Sequence, residues 1–134
     1  GSGQMGIEAL SRGAREAVFV EKNPAAARCI KRNLAFTRLE ETGRLYTRDV
    51  MDFLQHPGGE EPFDLIFLDP PYDKGLEEKA LALLADGPLL AEDALIVVEA
   101  SLQTDFSYLD DLGYEQIRQK KYKTNQHVFI TRGQ

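Results

Sequence analysis

Two rhythms of apolar residues alternate along this chain. Ala17-Val18-Phe19-Val20, Phe63-Asp64-Leu65-Ile66-Phe67-Leu68 and Ala94-Leu95-Ile96-Val97-Val98 are short, nearly continuous apolar runs. Their β-branched and aromatic content is that of strands buried in a sheet. Between them, apolar residues recur at helical spacing: Ala27, Ile30 and Leu34 after Asn23-Pro24, and Leu76, Ala80, Leu83 and Leu84 after Gly75. Asn23 suits an N-cap and Pro24 a first helical turn, so one helix is predicted from there to about Arg38 and another from Gly75 to Ala85. Arg44-Leu45-Tyr46-Thr47-Arg48 reads as a further strand, with Asp49 and a short helix through Phe53-Leu54 behind it. The stretch from His56 to Pro62 reads as a loop. Ile7 and Leu10 share a helical face near the start, with Gly13 as its stop, and a helical segment near Asp105–Leu112 stops at Gly113. Tyr114–Tyr122 and His127–Thr131 are predicted to form an antiparallel hairpin across Lys123-Thr124-Asn125-Gln126. Strand–helix alternation closed by a hairpin predicts one α/β domain over residues 1–134, with a mainly parallel sheet and an antiparallel edge.

Composition narrows the classes. With 134 residues, 43% of them hydrophobic, the chain can bury one ordinary core. No apolar run is long enough to span a bilayer and no signal peptide is visible. A single cysteine, Cys29, excludes an internal disulfide and fits a reducing, cytoplasmic setting. His56 and His127 lack metal-ligand spacing, so no metal is expected. The net charge of −6 argues against general polyanion binding. Arg118, Lys120, Lys121 and Lys123 nonetheless cluster near the C-terminus, as either a solvated edge strand or a local phosphate-contacting patch.

The chemistry concentrates at strand ends. Asp69-Pro70-Pro71-Tyr72 directly follows the Phe63–Leu68 run. Two prolines stop the strand, because neither can donate to a ladder. They leave an acid, a stiff carbonyl-rich turn and an aromatic ring at the carboxyl end of a strand, where open α/β sheets bind ligands. Two oxygens and a ring suit the exocyclic amine and the face of a nucleobase; the bland alternative is a strand-ending turn. Gly1, Gly3 and Gly6 match G-x-G-x-x-G, which lets backbone approach a ligand closely, although the same residues also read as a Gly-Ser linker. Glu21 ends the next strand and can accept both hydroxyls of a ribose. Asp49 ends the third, where it can accept from an adenine amine or cap the following helix. An adenosine-containing ligand is therefore expected, either a dinucleotide or S-adenosylmethionine. The Asp69 turn favours the second, because hydride transfer has no use for an acid-Pro-Pro-aromatic turn.

With these residues assembled, the chain resembles the bacterial 16S ribosomal RNA guanine-N2 methyltransferases, of the Rossmann-like, S-adenosylmethionine-dependent class. Gly1 to Ala14 resembles the family's first motif and helix, and Val20-Glu21-Lys22-Asn23 its ribose-binding step. Arg48-Asp49-Val50 resembles its adenine-contacting step, and Phe63 to Tyr72 its catalytic strand and turn. The resemblance implies S-adenosylmethionine as cofactor, held by Gly1, Gly3, Gly6, Glu21, Lys22, Asp49, Val50 and Asp69. It implies catalysis at Asp69, Pro70, Pro71 and Tyr72. Its implied partner is 16S rRNA or a small-subunit assembly intermediate, met in part by Arg118, Lys120, Lys121 and Lys123. In that family's sheet the hairpin's second strand lies between its first strand and the strand ending at Glu99. The family also has an N-terminal segment and a first strand ahead of the glycine loop. This sequence starts at the loop, so the expectation is an N-terminally truncated domain with an open sheet centre and an incomplete cofactor site. The Asp69 turn equally fits adenine-N6 methyltransferases, and a non-catalytic nucleic-acid-binding domain of the same fold is the alternative from another class.

Overall fold

The structure is a computed structural model that describes residues 17–20, 23–68 and 75–133. The described elements are β1 (Ala17–Val20), α1 (Pro24–Phe36), β2 (Gly43–Tyr46), α2 (Val50–Gln55), β3 (Phe63–Leu68) and α3 (Leu76–Asp86). They continue with β4 (Leu90–Ser101), a 3-10 helix (Ser107–Leu112), β5 (Tyr114–Lys121) and β6 (Asn125–Arg132). Two compact units divide the chain, the first ending at Phe53 and the second beginning at Leu54. The glycine loop and the helix expected around Ile7 and Leu10 lie outside the described residues.

In the first unit, β1 and β2 pair in parallel, from Ala17 opposite Gly43 to Val20 opposite Tyr46. α1 connects them. Asn23 Oδ1 accepts the N–H groups of Ala25 (2.9 Å) and Ala26 (3.1 Å), the cap its side chain predicts. Ala27, Ile30 and Leu34 are the buried face, with Phe19, Leu39 and Leu45 in the same cluster as Ile30 and Leu34. The helix stops at Phe36, short of the predicted Arg38, which instead takes a left-handed φ of 62°. Gly43 suits this packing, since a Cβ there would lie 2.6 Å from a Leu34 methyl carbon, which would have to shift. β2 ends two residues before the predicted Arg48, because Asp49 opens α2 as its cap.

The second unit contains a four-stranded sheet in the order β3-β4-β6-β5. β3 runs parallel to β4, and β6 runs antiparallel to both β4 and β5, the neighbours that the resemblance implies. β4 extends beyond its apolar run at both ends to 12 residues, Leu90–Ser101. One sheet face carries Ile96, Val98, Ala100, Val128 and Ile130, all buried, and α3 contacts β4 with Ala80, Leu81 and Leu84 buried. Leu81 is fully buried, whereas Leu83, which the helical spacing puts inward, is half-buried. The other face carries Leu65, Phe67, Leu95, Val97, Glu99, His127 and Phe129 by register. It is partly open, with Leu65 41% exposed, so β3 is not the strand buried on both faces that its apolar run suggests. The segment predicted at Asp105–Leu112 is a 3-10 helix from Ser107. Asp105 Oδ1 accepts the Ser107 N–H at 3.0 Å, and Gly113 at φ 82° ends it.

β5 contains a bulge. Gln116 pairs with Ile130, but Arg118 pairs with Phe129 rather than with Val128. Ile117 is the extra residue, 55% exposed, and it reverses the alternation of every later side chain in the strand. Tyr114, ahead of the bulge, is 3% exposed and donates its hydroxyl to the Leu81 carbonyl at 2.6 Å. Burial pushes the phenol from 10.0 up to about 12, with Arg132 opposing and Asp86 reinforcing the shift. The folded state thus holds this proton more tightly than the unfolded chain. Its contribution is complete below pH 10.0 and is lost as pH rises toward about 12. Alkaline denaturation should show this as a steeper fall in stability over that range, flattened by about one proton in Tyr114→Phe. An identical slope in the variant, measured by urea titration at stepped pH, would show that Tyr114 ionises freely in the fold.

Candidate functional site

The strand carboxyl ends organise the candidate chemistry within each unit. In the first, Val20 pairs with Tyr46, so β1 and β2 finish level. Glu21 and Lys22 follow Val20 in sequence and lie outside the described residues. Beside that edge, Asp49 Oδ1 accepts from the N–H groups of Met51 (2.9 Å) and Asp52 (3.3 Å), so Asp49 does cap α2. A carboxylate offers about four acceptor positions, so capping is compatible with accepting an amine hydrogen as well. Val50 is half-buried as the first residue of α2. Arg48 is clamped to Asp52, Nη2 to Oδ2 at 2.7 Å. Its guanidinium lies 5.6 Å from the Phe53 ring centroid, and that ring stands 5.2 Å from Tyr46. The loop after β2 is therefore pinned at both its backbone and its side chains. A shallow depression of about 240 Å³ between α1 and β2 is lined by Pro24, Ala27, Arg28, Lys31, Leu45 and Thr47. It is smaller than an ordinary small-molecule cleft.

In the second unit, Leu68 pairs with Val98. Asp69, Pro70, Pro71 and Tyr72 follow Leu68 directly and lie outside the described residues. β4 continues past that pair, with Glu99, Ala100 and Ser101 opposite His127, Gln126 and Asn125 of β6. The polar cluster built here carries no local motif in the sequence. His127 Nε2 and Glu99 Oε1 are 3.1 Å apart. Gln126, 2% exposed, donates to the Ser101 carbonyl at 2.8 Å and accepts from the Gln119 amide. Ser101 and Thr104 hydroxyls are 3.0 Å apart, and the Tyr122 ring stands T-shaped to His127 at 4.9 Å. The available signal was the pair of runs ending at Glu99 and starting at His127, which antiparallel pairing sets opposite each other.

Alternation along β5 beyond the bulge divides the predicted basic patch. Arg118 and Lys120 pair with Phe129 and His127, and the Arg118 guanidinium sits 5.7 Å from the Phe129 ring centroid. Lys121 pairs with Gln126 on the opposite face, and Lys123 lies in the turn. All four are exposed.

Residues 1–131 match the family model described as conserved hypothetical protein 95. The ribosomal RNA small subunit methyltransferase D of Haemophilus influenzae is 39% identical over 100 residues, covering 74% of this chain and 52% of that protein. The chain spans about half the length of the curated relatives it matches. Among solved structures, a conserved hypothetical protein of Streptococcus pyogenes superposes with a TM-score of 0.89 at 30% identity, over 98% of this chain and 81% of that one. The ribosomal protein L11 methylase of Lactobacillus delbrueckii subsp. bulgaricus gives 0.79 at 17% identity, over 100% and 66%. At that identity the likeness is one of fold, and the fold is that of class I methyltransferases.

Proposed function

The chain belongs to the conserved hypothetical protein 95 family, a bacterial rRNA methyltransferase family, and from this premise we propose that it forms the catalytic part of an S-adenosylmethionine-dependent rRNA guanine-N2 methyltransferase acting on 16S rRNA. The observation that carries the reading is the β3–β4 pair. β3 pairs with β4 without a break from Leu65 to Leu68, and the next four residues in sequence are Asp69-Pro70-Pro71-Tyr72, a composition suited to holding an amine, following the strand end where open α/β sheets bind ligands. The level ends of β1 and β2 support the cofactor half, because Glu21 is the next residue in sequence after Val20 and Asp49 follows Tyr46 by three residues.

S-adenosylmethionine supplies an electrophilic methyl group on a sulfonium. The protein's task is to make a poor nucleophile competent, since the guanine amine's lone pair is delocalised into the ring. The Asp69 carboxylate and Pro70 carbonyl accept its two hydrogens, which favours a pyramidal nitrogen, aims its lone pair and stabilises the positive charge that develops there. Pro71 stiffens the turn, and Tyr72 stacks on the base once it has left the helical stack. Glu21, flanked by Lys22, accepts from the ribose hydroxyls. Asp49 accepts from the adenine amine beside Val50, and the backbone at Gly1, Gly3 and Gly6 approaches the cofactor closely. Methyl transfer from labelled S-adenosylmethionine to unmodified 16S rRNA tests this, with nucleoside mapping of the product. N2-methylguanosine is expected; N6-methyladenosine, or no transfer by the full protein, would refute the reading.

The divided patch gives a second check. Lys120→Glu should weaken rRNA binding and reduce the slope of log affinity against log salt by about one. Lys121→Glu, on the other face, should leave the slope unchanged. No change in affinity or slope from either would mean that the strip is an ordinary charged strand edge.

A further inference from the structure

We propose that Tyr122 is a stacking platform for an unpaired RNA base near the nucleotide being methylated, on the hairpin face that also supplies phosphate contacts; this rests on the rRNA-methylation reading above. Tyr122 stands where β5 gives way to the turn and is 48% exposed, yet it is held in place. Its N–H donates to the Asn125 carbonyl at 2.8 Å, and its ring meets the His127 imidazole at an interplanar angle of 63°. A T-shaped contact engages the edge of one ring, so it fixes orientation without sandwiching either. His127 is itself anchored from β4 by Glu99 at 3.1 Å. A chain of contacts thus runs from the strand core to an outward-facing aromatic ring.

The surroundings specify the kind of partner. Lys120 is the cross-strand neighbour of His127, and Arg118 lies over Phe129 on the same face. Cations alternating with rings along one sheet face match the two features of a single strand, phosphates and bases, and base–aromatic stacking tolerates any sequence. The net charge of −6 makes long-range attraction of a polyanion weak, so affinity has to come from local contacts of this kind. The position is also apt. Glu99 lies one residue past the Leu68–Val98 pair, and His127 lies one strand further across. His127 is therefore about two strand spacings, ~10 Å, from the end of β3, and the Tyr122 platform, on the β5 side of β6, is about three, ~14 Å. A target base drawn out of its stack leaves its neighbour without a partner, and Tyr122 offers the replacement.

The test uses the full protein and a single-stranded RNA oligonucleotide carrying 2-aminopurine, reading fluorescence quenching together with affinity by anisotropy. Wild type and Tyr122→Phe should quench and bind within about twofold of each other. Tyr122→Ala and Tyr122→Leu should lose the quenching and about tenfold or more in affinity. The leucine variant separates the π face from apolar bulk. Wild-type RNA binding with unchanged quenching and affinity in both truncations overturns the platform and leaves rRNA methylation standing. A phenylalanine variant as weak as alanine also overturns it, because the hydroxyl would then be the contact. Failure of the wild type to bind RNA overturns both readings together.

Discussion

Replacing Asp69 with alanine should slow methyl transfer by about a hundred- to a thousand-fold while S-adenosylmethionine affinity stays within a few-fold of wild type. The asymmetry follows from what the carboxylate faces. In the proposed site it accepts from the guanine amine, whose charge changes during the reaction, whereas the adenosine is held by Glu21 and Asp49. An acceptor aimed at developing charge acts mainly in the transition state, so its loss lowers the rate more than it lowers binding. The Pro70 carbonyl remains as a second acceptor, which is why the loss is large but not total. Asp69→Asn keeps an oxygen acceptor without its charge and should fall between. Single-turnover assays with labelled cofactor, paired with calorimetry, separate the two quantities. A transfer rate within a few-fold of wild type would remove Asp69 from the chemistry.

The second large effect concerns stability. Ile96→Ala should cost about 2–5 kcal/mol, out of a total that for domains of this size is ordinarily about 5–15 kcal/mol. Ile96 is fully buried and lies in the middle of β4, opposite Ile66 of β3 on one side and Ile130 of β6 on the other. Three β-branched residues thus form one row across the sheet, and removing the middle one leaves a cavity that neither neighbour can fill without leaving its own register. β4 joins the strand before the Asp69 turn to the hairpin, so the loss falls on the element supporting both. A drop in melting temperature on the order of 10 °C is expected. A drop under about 2 °C would mean that the row relaxes into the space.

Sequence reading succeeded where the deciding forces are local. The Asn23 cap, Pro24 and the Ala27, Ile30, Leu34 stripe act within one helix, and the observed helix follows them. The apolar run at Phe63–Leu68 is the observed β3 without change. Ends set by partners were less legible. β4 runs on through Glu99 and Ala100 to Ser101 because β6 pairs with it there, and nothing within those residues announces this. The site divides in the same way. The glycines, Glu21, Lys22 and the Asp69–Tyr72 turn were legible as a motif, while their geometry lies outside the described residues. In sequence Asp49 suits either a ligand contact or a cap, and the cap is seen. The Glu99–His127 pair escaped notice because its members are 28 residues apart; only the strand register brings them together.

The bulge at Ile117 makes the length of β5 behave like a reading frame. Side chains in a strand take turns between two faces, and one additional residue reverses the turn for everything after it. On one side of Ile117 stands Tyr114, tied to Leu81; on the other stand Arg118 and Lys120, beside Phe129 and His127. If Ile117 were deleted, Gln116 and Arg118 would become neighbours and could keep Ile130 and Phe129 as partners in a ladder without a bulge. Tyr114 would keep its bond to Leu81, and Arg118 and Lys120 would keep the face of Phe129 and His127. The extra residue is therefore the one whose loss this strand can absorb, whereas loss of a residue beyond Arg118 would turn the side chains after it to the other face.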